Sequence, residues 1–219
     1  MKVAAYIVSF IFHPLFILVY ILGLLYQINP YIFNEQNERE EIVFLTYTIV
    51  SVLIIPVVSV LLMKTLNIIK TFSMEDKMER VGPMIVVSIV YLWLFINFKN
   101  NTILPLVFAA VMLGSSISVL AAFFINNFTK ISLHCVGMGA MVASLFLLKF
   151  KMQYGNIIIN NSEAYNIEIN LYLLILISIV LAGVVGSARL FLKAHTREQI
   201  YTGYLLGFLS QLIAFSIII

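Results

Sequence analysis

The chain has 219 residues, of which 62% are hydrophobic and 11% charged, with a mean hydropathy of +1.06, whereas soluble domains carry about 25% charged residues. No polar segment is long enough to build a nucleic-acid reader, a disordered region or a separate extramembrane catalytic domain. A net charge of +3 is too small to indicate a polyanionic partner, and a single cysteine, Cys135, allows neither an intramolecular disulfide nor a cysteine metal cluster.

What remains is one integral-membrane domain over residues 1–219, all-α in class, a polytopic transmembrane helix bundle. A membrane helix needs roughly 20 mostly apolar residues. About six to seven runs meet this length, at 4–27, 42–63, 83–98, 104–126, 134–150, 170–192 and 203–219. The first has no basic lead-in beyond Lys2 and no small-residue cleavage site, so it reads as a retained helix. The third is short. In the sixth and seventh, Gly183-x-x-Gly186 and Gly203-x-x-x-Gly207 suit close helix packing.

Counting connections alternately from Met1 divides the polar residues unequally. One side receives Lys2, the 64–82 loop, the 127–133 turn and the 189–202 segment. The other receives the acidic 34–41 loop, the turn at Lys99 and the 151–168 loop. His134 and His195 fall on the first side, each at the start of a hydrophobic run. His13 lies about nine residues into the first run, about 14 Å along a straight helix, and is therefore expected to sit too deep to join them. It precedes Pro14, which suits a hydrogen-bonded residue at a helix kink. In a bundle, the first side would gather two imidazoles and several cations in a shallow pocket suited to a phosphate.

Three segments carry the candidate chemistry. In Ser187-Ala-Arg189-Leu-Phe-Leu-Lys-Ala-His195-Thr-Arg-Glu-Gln199, helical spacing puts Gln199 within reach of His195 Nδ1, which would leave Nε2 free as a nucleophile, and Arg189 could hold phosphoryl oxygens. The alternative is a basic helix end anchored at headgroups. In Lys130-Ile-Ser132-Leu-His134, a hydroxyl and an imidazole at a helix start could bind an anion and protonate a leaving alkoxide. The alternative is an N-cap serine followed by an interfacial histidine. In Asp76-Lys77-Met-Glu79-Arg80-Val-Gly-Pro83, Lys77 and Arg80 could share a face and clamp a dianion, or belong to a solvated loop. All three fall on the same side.

The pattern resembles the type 2 phosphatidic acid phosphatase superfamily, which also contains the vanadium haloperoxidases. Its motifs are Lys-x6-Arg-Pro, Pro-Ser-Gly-His and Ser-Arg-x5-His-x3-Asp. Here Arg189, His195 and Gln199 reproduce the third spacing; Ser132 and His134 match the second with Ile131 and Leu133 in place of proline and glycine; Lys77, Arg80 and Pro83 only echo the first. The motif core spans about residues 76–200. The resemblance implies a membrane-embedded lipid phosphatase without metal or other cofactor, in which His195 attacks phosphorus and forms a phosphohistidine. His134 would protonate the leaving group and then activate water, with Lys77, Arg80, Ser132 and Arg189 binding the phosphate and Gln199 orienting His195. The implied partners are membrane lipids and a lipid phosphate substrate of the phosphatidate, polyprenyl pyrophosphate or lipid A phosphate class.

Gln199 departs from the aspartate of the third motif. An amide fixes the tautomer without stabilising imidazolium, so an inactive relative that binds lipid phosphate stands as an alternative. A transporter or flippase would carry charges within its spans, and these hold almost no acids. A membrane cytochrome with His134 and His195 as axial ligands would show a Soret band. The first side carries nine Lys and Arg against four on the other, which suggests a cytoplasmic first side, but three of the nine are the expected phosphate ligands Lys77, Arg80 and Arg189. The expected location is a bacterial inner membrane, with the facing side and the oligomeric state open.

Overall fold

The computed structural model describes residues 1–28, 38–72, 74, 76–101, 106–153, 156–160 and 166–219. Among them, helices α1 (Lys2–Ile11), α2 (Pro14–Ile28), α3 (Glu38–Ile49), α4 (Ile55–Thr65), α5 (Val81–Lys99), α6 (Leu106–Phe128), α7 (Leu133–Phe150), α8 (Leu171–Phe191) and α9 (Arg197–Ile218) follow one another along the chain. Six stretches are long and apolar enough to cross a membrane, seven if α1 and α2 count as one bent span. The chain is an all-α polytopic bundle and an integral membrane protein. Part of the 151–168 loop instead forms an antiparallel hairpin, β1 (Asn156–Asn160) with β2 (Asn166–Asn170), in which Ile157 pairs with Ile169, Ile158 with Glu168 and Ile159 with Ile167.

Two boundaries differ from the hydropathy reading, for local reasons. The run at 4–27 is not one helix: Pro14 has no N–H to donate and disfavours helical backbone at the residue before it, so α1 ends at Ile11 and α2 leaves at 53° to it. The last helix begins near 197 rather than 203. Thr196 is its N-cap and forms a capping box with Gln199, a start signal that hydropathy does not register. The stretch from α3 to α4 is continuous but passes through a π-helical segment, Val50–Ile54, just before Pro56.

Helices α6 and α7 form the centre, with 56% and 61% of their spanning residues buried, while the α3–α4 span, at 22%, lies at the periphery. Small residues let α9 pack against α7. A Cβ on Gly203 would stand 2.9 Å from the Ser132 carbonyl oxygen, and one on Gly207 would run into the Val136 carbonyl. Gly186 makes room for the Tyr204 hydroxyl, whereas Gly183 faces open space. Close packing thus accounts for three of the four glycines in the two spacings. The α7–α9 contact also ties the start of α7 to that of α9, through the Ser132 N–H and the Gln199 carbonyl at 3.4 Å.

Candidate active site

The site is built on the connection from α8 to α9. Helix α8 ends in a Schellman turn: Ala194 N–H bonds the Arg189 carbonyl at 3.1 Å and Lys193 N–H bonds that of Leu190 at 2.9 Å, with Lys193 in the left-handed region at φ 52°. Three residues later the capping box opens α9. The Arg189-x5-His195-x3-Gln199 spacing is therefore a helix stop followed at once by a helix start. His195 sits between them, just ahead of the N-cap. Its Nδ1–H donates to Gln199 Oε1 at 2.9 Å, and the same oxygen accepts the Thr196 N–H at 3.3 Å. With Nδ1 carrying the proton, Nε2 is the nitrogen with the free lone pair. Burial pushes the His195 pKa down to about 4; the hydrogen bond to Gln199 opposes this, and the charges of Arg80, Arg189 and Lys130 add to it. The imidazole is neutral at pH 7.

A second tie joins the other two segments. Met78–Arg80 forms a 3-10 turn leading into α5, and Arg80, only 8% exposed, points inward. Its Nε donates to the Met74 carbonyl at 2.9 Å and its Nη1 to that of Ile131 at 3.2 Å. Lys77 points elsewhere: its Nζ donates to the Asn127 carbonyl at 2.7 Å. A tight 3-10 turn does not hold the pair on one α-helical face, so they diverge.

Arg80, Lys130, His134, Arg189, Lys193 and His195 all line one cavity of about 940 Å³. Its other walls are apolar and come mainly from α2, α4 and α5, including Ile17, Ile21, Val57, Val60 and Val87. The cavity thus has a cationic end and an apolar arm. At the cationic end Arg189 Nη1 donates to Ser9 Oγ at 3.3 Å, and its Nε is buried with no hydrogen-bond acceptor among the described residues. Among the described residues, no carboxylate pairs with Arg80 or Arg189. Buried cations without a counter-charge are costly.

Of the residues expected from sequence, the structure brings His134, His195, Arg80 and Arg189 to this wall, with Gln199 behind His195. Lys77 and Ser132 are not on it. Ser132 is fully buried at the α7 N-cap, its hydroxyl directed at Cys135 Sγ at 3.2 Å. The depth argument against His13 is corrected here. Because α1 bends away from α2, His13 reaches His134, with ring centroids 5.5 Å apart, and lines the same cavity. The kink expectation holds: His13 Nδ1 accepts the Leu15 N–H at 3.4 Å. Ser9, Lys130 and Lys193 also line the cavity, although no phosphate role was assigned to them from sequence. For His13 the available signal was the His-Pro pair, since it breaks the helix that the depth estimate assumed straight.

Among known families, the model of the PAP2 superfamily matches residues 123–218. No curated protein and no solved structure matches the chain.

Proposed function

We propose that this all-α membrane protein, matched by the PAP2 superfamily model over residues 123–218, is a phosphatase of that superfamily and hydrolyses a lipid phosphate or pyrophosphate in the cavity at the start of α7 and α9. The observation that carries this reading is the pair Arg80 and Arg189. They are cations on one cavity wall with no carboxylate partner among the described residues, beside a neutral imidazole with a free Nε2. Such a centre is completed by an anion. The apolar arm beyond it suits the tail of an amphiphile.

In this reaction His195 Nε2 attacks phosphorus in line with the leaving oxygen. The P–O bond to the lipid breaks as the N–P bond forms, and the lipid oxygen takes a proton from His134. Arg80 and Arg189 balance the charge on the equatorial oxygens, with Lys130 and Lys193 nearby. The Ser9 carbonyl accepts the His134 Nε2–H at 3.0 Å, so the proton that goes to the lipid oxygen is the one on Nδ1 of the His134 imidazolium, and its departure leaves a neutral ring still held through Nε2–H. Water, deprotonated by His134, then displaces His195 and releases phosphate.

A second reading, an inactive relative that holds lipid phosphate, is favoured by the Gln199 amide in place of a carboxylate and by the Ser132 hydroxyl's engagement with Cys135. Phosphate release from phosphatidate, a polyprenyl pyrophosphate and lipid A in mixed micelles, without divalent metal, separates the two. Release that His195→Ala abolishes supports the enzyme. Binding without release supports the inactive relative, and neither binding nor release removes the site assignment.

A further inference from the structure

We propose that His13, on the N-terminal helix break and outside the family-matched segment, is a phosphate-contacting residue of this site, its Nε2–H donating to a phosphoryl or leaving-group oxygen beside His134. This rests on the phosphatase reading above.

Three observations place it. Pro14 stops α1 and starts α2, and His13 is the N-cap between them: its carbonyl accepts the Phe16 N–H at 2.9 Å and its Nδ1 accepts the Leu15 N–H at 3.4 Å. A nitrogen that accepts from a backbone N–H carries no proton, so the neutral ring bears its hydrogen on Nε2. That atom has no hydrogen-bond acceptor among the described residues, and the ring is exposed and lines the cavity.

The break is also held against the catalytic helix. Gly137 leaves the room: a Cβ there would stand 3.3 Å from Ile17 Cγ1 and 3.6 Å from Pro14 Cα. One turn before His13, the Ser9 carbonyl accepts from His134 Nε2 and the Ser9 hydroxyl accepts from Arg189 Nη1. The end of α1 therefore touches both the expected proton donor and the expected phosphate ligand. His13 stands edge-on to His134, with 85° between the ring planes, so a phosphate reached by His134 lies within the neighbourhood of the free Nε2–H. Where Ile131 and Leu133 replace the small and turn-forming residues of the second motif, a donor from α1–α2 supplies what that loop does not.

The two nitrogens have separate jobs, which makes the test decisive. Asparagine can replace Nδ1 as an N-cap acceptor but has nothing at the Nε2 position; glutamine reaches the Nε2 position with an N–H but caps poorly. Full-length wild type, His13→Asn and His13→Gln are compared for phosphate release from phosphatidate in mixed micelles and for orthovanadate binding. The proposal expects His13→Asn to lose about 10- to 100-fold in kcat/KM, the worth of a hydrogen bond to a charged group, with weaker orthovanadate binding, and His13→Gln to recover to within about threefold of wild type. The reverse order, with His13→Asn like wild type and His13→Gln impaired, would show that the residue only caps α2 and would overturn the proposal. If wild type neither releases phosphate nor binds orthovanadate, the phosphatase reading itself fails. If wild type is active and His13→Asn matches it, the His13 assignment alone fails.

Discussion

His195 Nδ1 and Gln199 Oε1 are 2.9 Å apart, and that oxygen also accepts the Thr196 N–H that closes the capping box of α9. One amide thus orients the expected nucleophile and starts the helix that carries the rest of the motif. An imidazole held this way keeps Nε2 unprotonated and fixed relative to Arg189, one Schellman turn upstream.

Replacing Gln199 separates the two roles. Gln199→Ala removes the oxygen that accepts both hydrogen bonds, and we expect a loss of about 0.3–1.5 kcal/mol of stability from the missing cap, together with a fall in turnover. Gln199→Asp keeps an acceptor and adds a charge that stabilises imidazolium and suits a helix N-terminus, so turnover is expected to equal or exceed wild type. Steady-state phosphate release checks this. A drop of tenfold or more in Gln199→Asp would show that the side chain does not orient His195.

Acid should weaken the fold through His195. Its pKa is about 4 in the folded protein and about 6.5 when unfolded, so between these values the unfolded chain binds the extra proton and stability rises with pH. The contribution is fully present above about 6.5 and is lost as pH falls through about 4. Melting temperatures in detergent across this window should fall more steeply in wild type than in His195→Gln. Equal slopes would show that the imidazole is not buried as described. The acid limb of kcat/KM is expected nearer 4 than 6.5, since the free enzyme's nucleophile stays neutral to that point.

Most of the bundle was legible as hydropathy, because a membrane span must be long and apolar whatever it packs against. The third-motif segment was legible as spacing, since Arg189, His195 and Gln199 act through local turns that sequence distance fixes. Lys77 and Arg80 were not separable in this way: a 3-10 turn rather than an α-helix carries them, and their acceptors, the Asn127 and Ile131 carbonyls, are about 50 residues away in sequence. His13 was misplaced by treating the first run as straight. Its proximity to His134 depends on the 53° bend and on the room left by Gly137, neither of which hydropathy measures.

The glycines on α8 and α9 should differ sharply in tolerance. Gly207→Ala sets a methyl group against the Val136 carbonyl at the α7–α9 contact, and overpacking of this kind costs about 1–3 kcal/mol. Gly183→Ala meets nothing within 4 Å and should match or slightly exceed wild type, since alanine favours the helix. Thermal stability of the two variants in the same detergent gives the comparison. Similar behaviour of both would mean that α7 and α9 do not approach as closely as described.

Arg80 gives the sharpest contrast with its neighbour Lys77. Arg80 lines the cavity and spends Nε and Nη1 on the Met74 and Ile131 carbonyls, which fixes the guanidinium plane and leaves Nη2 as the nitrogen to meet a ligand. Lysine has the charge but a single nitrogen on a flexible stem, so it cannot hold two carbonyls and face an anion together. We expect Arg80→Lys to raise KM and lower kcat/KM by about tenfold or more, since a charged hydrogen bond is worth about 1.5–3 kcal/mol. Lys77→Ala removes a contact to the Asn127 carbonyl outside the cavity wall, and its effect on kcat/KM should stay within about threefold. Phosphate release and orthovanadate binding measured on both variants decide the matter. A larger loss from Lys77→Ala than from Arg80→Lys would move the phosphate site away from the cavity and toward the surface at Asn127.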